Sequence, residues 1–269
     1  MRRSILTATA ALALTACGGG NTESSVPAPG AEETAKTKVL ETGAAVLQDR
    51  PPIDAVNAYL DGFHFYNGQM KVQMEAHHYC SVLNEDVIQC TIYDGNVKDA
   101  KLMGVEYIIS AKLFADLPEQ EKALWHSHVH EVKSGQLVAP GIPDVAEHEL
   151  MEKLIHTYGK TWHTWHTDLD KDLPLGMPQL MMGFTADGQA DLAMVAARDA
   201  RLGVSSEDKR KRRADIPVPA IDPGADAWKE GTVVQIQDPA GEHAHSAGSK
   251  VKEPSSREEN ASSKGPSEE

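Results

Sequence analysis

Val72-Gln73-Met74-Glu75-Ala76-His77-His78-Tyr79-Cys80, followed after Asn84-Glu85-Asp86 by Ile88-Gln89-Cys90-Thr91-Ile92, decides the fold. Val72, Met74, Ala76, His78 and Cys80 alternate with Gln73, Glu75, His77 and Tyr79, the period of two that marks a strand. Ile88, Cys90 and Ile92 resume that alternation after turn-forming residues, which predicts an antiparallel hairpin. The midpoint of Cys80 and Cys90 is residue 85, inside the turn, so the two cysteines stand opposite each other. Opposed Cα atoms lie about 4.5 to 5.5 Å apart, within reach of a disulfide. Two buried free thiols are the alternative.

Working outward, residues 102–110 read as a third strand, and 162–167 and 179–184 as further strands. Ile53, Val56, Tyr59 and Leu60 recur at helical spacing before Gly62, which predicts a short helix over 54–62. Pro118 and the acidic residues after it open a helical turn over 118–122. Leu150, Met151, Leu154 and Ile155 share one face of a helix over 147–156, and another helix is expected over 191–202. Strands first, with helices interspersed and following, give an α+β fold: a single domain with a mainly antiparallel sheet and flanking helices.

The composition agrees. Of 269 residues, 41% are apolar and 25% charged, enough for a folded core. The excess of 40 acidic over 26 basic residues argues against a nucleic-acid partner, because phosphate affinity rests on clustered Lys and Arg. Three cysteines exclude a disulfide-dense miniprotein.

The ends of the chain carry a different message. Met1-Arg2-Arg3, the apolar run from Ile5 to Leu14 and then Leu14-Thr15-Ala16-Cys17 describe a secretory signal ending in a sequence that resembles the bacterial lipobox. Residues 1–17 are therefore expected to be a lipoprotein signal peptide, with Cys17 acylated as the mature N-terminus and the membrane engaged through its acyl chains. By resemblance to Gram-negative sorting rules, Gly18 rather than Asp after that cysteine implies the bacterial outer membrane as the default destination. Residues 18–50 read as a flexible linker and 51–230 as the globular domain. Residues 231–269, with His243 and His245, read as a disordered polar tail. An exported protein is also in the right compartment for the hairpin disulfide.

Histidine is the one chemically suggestive residue type. Twelve are present, and the densest segment is Trp125-His126-Ser127-His128-Val129-His130-Glu131. In a strand, His126, His128 and His130 share a face, and a His-x-His pair can present two imidazoles to a divalent transition metal. His78, Glu106 and His163 are the candidates to complete such a site. Such His-x-His pairs occur in cupin-type metal sites, but Glu131, only three residues after His128, does not match a cupin's carboxylate spacing. Histidines that hydrogen-bond within a half-buried sheet are the competing reading. There is no His-Glu-x-x-His, no Gly-x-Ser-x-Gly and no Cys-x-x-Cys. The basic run from Lys209 to Arg213 suits a solvated helix end or an anionic lipid phosphate.

Read together, His77-His78-Tyr79-Cys80, Asn84-Glu85-Asp86, Gln89-Cys90, Gly104-Val105-Glu106-Tyr107-Ile108-Ile109, Leu124-Trp125-His126-Ser127-His128, Glu131-Val132-Lys133-Ser134-Gly135, Tyr158-Gly159-Lys160 and Leu173-Pro174-Leu175-Gly176 form a series. It resembles the oil body-associated protein family over roughly Ile53 to Trp228. The resemblance implies a lipid-related or surface-associated domain and supplies no catalytic residue set. Two functions are thus expected: a non-enzymatic lipoprotein whose domain binds a lipid or envelope component, or a metal-dependent enzyme built on His126 and His128.

Overall fold

The computed structural model describes residues 20–169 and 172–236. The expected signal peptide with Cys17, and the part of the expected tail from 237 that holds His243 and His245, lie outside the described residues. In chain order the elements are α1 (Ala35–Leu47), α2 (Pro51–Asp54), β1 (Ala58–Tyr66), β2 (Gln69–Val82), β3 (Val87–Tyr93), β4 (Leu102–Ser110), α3 (Ala111–Ala115), α4 (Glu119–Lys122), β5 (His126–Ser127), α5 (Val129–Ser134), α6 (Asp144–Leu154), β6 (Thr157–His163), β7 (Gln179–Met182), α7 (Leu192–Leu202) and α8 (Ser206–Arg212). The expected α+β architecture, an antiparallel sheet with flanking helices, is what forms.

The sheet closes on itself. Its order runs β4-β3-β2-β1-β7-β6, and β4 also pairs with β6 along Gly104 to Ser110, so six antiparallel strands make a barrel. β5 lies beside β6 at Tyr158 and Gly159, on the edge where β7 pairs further along at Thr161 to His163. Alternate residues face inward: Leu60, Gly62 and His64 on β1 oppose His78, Ala76 and Met74 on β2. Leu60, Cys80, Ile88, Cys90 and Ile108 pack there with Val132, Met151, Leu154 and Ile155, so α5 and α6 plug one end of the barrel. A second core, Phe63, Phe65, Leu180, Met182 and Phe184, lies on the outer side of β1 and β7 with Val195 of α7.

The hairpin forms as read, with Cys80 opposite Cys90 and joined to it by a disulfide. The closed loop is short, so chain-entropy arguments give about 2 to 3 kcal/mol of stabilisation. Chemical reduction is expected to lower the unfolding free energy measured in urea by that much without unfolding the domain, and an unchanged midpoint would contradict it.

The helix expected over 54–62 is not there. One helical turn, α2, ends at Asp54, and β1 begins at Ala58. β1 is buried on both faces from Leu60 to Tyr66, so its outward side shows Phe63 and Phe65 instead of a polar alternation. Gly62 does not end a helix; a Cβ there would meet Leu137 Cδ1 at 3.3 Å, a close approach that suits glycine in a strand. β6 starts five residues earlier than the expected 162–167, directly after α6, and Thr164 and Trp165 already turn to donate to Met103 O.

Both flanks touch the barrel. Within the stretch expected to be a linker, Thr22 N donates to Asn96 Oδ1 (2.8 Å), Ser24 Oγ donates to Asp94 (2.8 Å), and Val26 is buried. At the other end Val234 joins the outer core, and Gln235 accepts from Leu180 N. The basic run is held by internal pairs: Arg213 is buried on Glu147 and the Val132 and Leu137 carbonyls, Lys209 and Arg212 meet Asp144, and Arg210 meets Asp187. The run ends α8 with Lys211 and Arg212 exposed, as the helix-end reading expects, while the acidic partners of its side chains speak against the phosphate-binding alternative. Among the described residues no helix is long and apolar enough to cross a membrane.

Candidate metal centre

Four imidazoles and two carboxylates meet inside the barrel. Glu106 projects inward from β4, where its register partners are Cys90 and Thr161. His78 Nε2 lies 2.8 Å from Glu106 Oε2, and His64 Nε2 lies 3.9 Å from the same oxygen. On the other side His128 Nε2 is 3.2 Å and His126 Nε2 3.5 Å from Glu106 Oε1. Glu131 Oε2 stands 3.9 Å from His128 and 4.0 Å from His126. All six residues are buried.

The local fold explains who arrives. β5 stops at Ser127, and His128 is the N-cap of α5. His126 and His128 therefore reach the same carboxylate across a strand-to-helix junction, not along one strand face. Past that junction the spacing is helical, which brings Glu131 beneath His128 as an i, i+3 pair and turns His130 away from the centre. The expected ligand His130 is thus not part of the cluster. His163 is one step removed, its Nε2 3.4 Å from His64 Nδ1. His126, His128, His78 and Glu106 converge as expected. His64 and Glu131 complete the set; the i, i+3 spacing to His128 is the signal that could have found Glu131.

Hydrogen bonding fixes the tautomers. His78 Nδ1 is 3.0 Å from Ala76 O, which can only accept, so that nitrogen carries hydrogen. Thr157 Oγ1 donates to Leu154 O (2.7 Å) and so accepts from His128 Nδ1 (2.7 Å). In both neutral rings the Nε2 lone pair then faces Glu106, acceptor against acceptor. Such an arrangement holds only with a proton or a cation between them. Glu131 Oε2 has no hydrogen-bond partner, and the nearest acceptor to His126 Nε2 is Glu106 Oε1 at the long distance of 3.5 Å.

The space is small and tightly walled. A void of about 10 Å³ is lined by His64, His78, Glu106, His128 and Glu131, with Leu60, Ile108, Leu137 and Leu154 beneath. That is room for about one water or one ion. Gly159 is obligatory beside it, because a Cβ there would meet Glu106 Oε1 at 2.0 Å and the Nε2 atoms of His126 and His128 at 2.8 Å.

Without an ion, protons must neutralise the cluster. Burial opposes charge on His126 and His78, yet hydrogen bonding to Glu106 outweighs it and raises both, His126 to about 8. Glu106, despite burial, is held well below the carboxylate range by His126, His128 and His78. Burial and the neighbouring His78 depress His64, and burial with His166 depresses His163 to about 3. The signs predict a stability maximum for metal-free protein. Below about pH 6.5 the unfolded chain takes up protons that His64 and His163 refuse, so stability falls with falling pH. Above it the contributions of the raised His78 and His126 are lost, that of His126 as pH climbs through about 8. Urea midpoints of chelator-treated protein from about pH 5 to 9 should peak near 6.5; a continuous rise to alkaline pH would contradict the assignment.

A second acidic set lies outside the barrel wall. Asp61, Glu75 and His77 share one locus, but Arg198 pairs with Asp61 and Arg201 with Glu75, so the cationic partners are already in place.

Fold and site together define a closed antiparallel barrel with a buried histidine–carboxylate centre. The family described as a protein of unknown function (DUF1264) matches residues 50–217. The chain is 41% identical over 220 residues to "Oil body-associated protein 1B" of Arabidopsis thaliana, covering 81% of this chain and 91% of that protein. It is 43% identical over 215 residues to "Oil body-associated protein 1A" of Zea mays, covering 79% and 90%. The chain belongs to the oil body-associated protein family. No solved structure matches it.

Proposed function

We propose that this protein is a lipid-anchored member of its family at the bacterial outer membrane, whose barrel binds one divalent first-row transition ion between Glu106 and Glu131. The observation that carries the ion is the facing of imidazole lone pairs on a buried carboxylate, fixed by the Ala76 and Thr157 contacts. Imidazole and carboxylate donors suit zinc, iron and their neighbours. One divalent ion neutralises two carboxylates in a dry interior, which no arrangement of neutral rings can do. The void takes an ion and excludes an organic substrate, so binding is favoured over a reaction at this point.

Zinc titrated calorimetrically into the chelator-treated full chain should bind one equivalent. The affinity should weaken as pH falls, because protons compete for the rings. His78→Ala and His128→Ala should each weaken it by about 10- to 100-fold or more. Absence of binding to the wild-type chain overturns the reading.

The anchor rests on the lipobox at Leu14-Thr15-Ala16-Cys17. An association of the domain with a lipid or envelope component draws its support from the relatives' names alone. Cys17→Ser is expected to move the protein from the membrane to a soluble fraction, and mass spectrometry of the wild type should find an acylated N-terminal cysteine. An unmodified start at Gly18 would contradict the anchor.

A further inference from the structure

The chain ahead of the family match, which begins at residue 50, does two different things. Its first part is clamped to the outer wall of the barrel. Asn96 N donates to Thr22 O (3.0 Å) while Thr22 N donates to Asn96 Oδ1 (2.8 Å). Thr22 Oγ1 donates to Glu75 Oε1 (3.2 Å) and accepts from Arg201 Nε (3.2 Å). Further along, Ser24 and Ser25 both donate to Asp94, and Val26 is buried. Gly95 makes the room for this, since a Cβ there would run into Thr22 O. Thr22 follows Cys17 by five positions, at most about 18 Å of fully extended chain. An acylated Cys17 therefore holds this wall of the barrel close to the bilayer, with no long tether between them.

The second part is α1. Thr34 caps it, its Oγ1 accepting from Thr37 N (3.1 Å), yet no residue of α1 is buried. Val39, Leu40, Val46 and Leu47 are between 62% and 83% exposed. At about 3.6 residues per turn these four share one half of the helix with Gly43 and Ala44, and Lys38, Glu41 and Thr42 occupy the other. A helix of 13 residues with a glycine in its middle is marginal by itself in water, so the apolar half calls for a cover. The anchor decides which cover. α1 starts nine positions after Val26, within about 32 Å of the clamped strap, so the bilayer that holds Cys17 is in reach. Four apolar side chains hold a helix on a membrane weakly, but an acyl anchor makes the contact intramolecular and raises its effective concentration to the mM range. Lys36, one turn before Val39 and Leu40, adds a cation for anionic headgroups.

We propose that α1 is the surface by which this protein meets its membrane, lying in the headgroup layer with Val39, Leu40, Val46 and Leu47 in the lipid. The proposal rests on the acyl anchor at Cys17 and adds to it a second, peptide contact with the same bilayer. It is independent of the ion in the barrel.

Depth-dependent quenching of the full acylated chain tests it, in vesicles of phosphatidylethanolamine and phosphatidylglycerol that carry brominated lipid. Leu47→Cys and, on the opposite face, Thr42→Cys each receive a bimane probe; Cys80 and Cys90 are paired and Cys17 is modified, so the added thiol reacts alone. Quenching of the Leu47→Cys probe should exceed that of the Thr42→Cys probe by at least about twofold, because an interfacial helix buries one face by about 5 to 10 Å. Adding Val39→Glu and Val46→Glu should bring the first probe down to the level of the second while Tm stays unchanged, since nothing of α1 belongs to a core. Mass spectrometry of the same sample reads the anchor. A chain without acyl groups overturns the anchor and this inference together. An acylated chain whose two probes are quenched alike, or not at all, overturns the inference and leaves the anchor standing. So does a Leu47→Cys probe that bromolipid does not quench and aqueous iodide does not reach, which would mean that a protein surface covers the stripe. Quenching that survives both glutamates also overturns it.

Discussion

Glu106→Gln is expected to abolish stoichiometric metal binding and to destabilise the barrel from within. The amide keeps the shape but removes the negative charge that four imidazoles approach at 2.8 to 3.9 Å. Loss of an anionic ligand at the centre of the set should weaken the ion by at least about 100-fold, near 3 kcal/mol. At pH 6, where His78 and His126 are charged in metal-free protein, removing their shared counter-ion leaves buried cations uncompensated. Breaking a buried pair in this way costs about 3 to 5 kcal/mol. Two sets of urea curves, with and without zinc, separate the effects. The wild type should gain stability with zinc, and the variant should gain nothing and start lower. A variant that still responds to zinc like the wild type would remove Glu106 from the centre.

Arg198→Met should produce a loss of similar size by a route that does not involve the ion. Arg198 is completely buried and ties α7 to three other segments through Asp61, Gln136 O (2.9 Å) and Ser206 Oγ (3.1 Å). Its guanidinium also lies 4.6 Å from the Phe63 ring centroid. Methionine fills most of that volume but leaves the Asp61 carboxylate facing only His77 Nδ1, at 3.0 Å, and the cost is again about 3 to 5 kcal/mol. For a domain of this size that corresponds to about 10 °C or more in Tm. Adding Asp61→Asn should recover part of the loss, because the uncompensated charge goes with it. A single variant that melts with the wild type would show the pair to be dispensable.

The hairpin was legible because β2 and β3 carry an alternating pattern along Val72 to Cys80 and Ile88 to Ile92, and because two cysteines flank its turn symmetrically. β1 was not, since burial on both sides erases the alternation and leaves Tyr59 and Leu60 open to a helical reading. That misreading also hid His64, whose inward position exists only once β1 is a strand opposite β2. The candidate pair His126 and His128 is legible from strand periodicity although only His126 lies in the strand. The same periodicity included His130, and the mismatch with cupin spacing set Glu131 aside, because the sequence does not announce that the chain turns helical at His128. Closure of the barrel through β4 and β6 joins residues 47 to 59 positions apart, and no local pattern encodes it.

The central claim is that this barrel is built around an ion. Its most direct test is elemental analysis of the full chain purified from its native host without added metal or chelating resin, alongside Glu106→Gln handled identically. The account predicts close to one equivalent of a single first-row transition metal in the wild type and essentially none in the variant. Wild-type protein that is folded, disulfide-bonded and metal-free, and that stays so after incubation with zinc, iron and manganese, would contradict it.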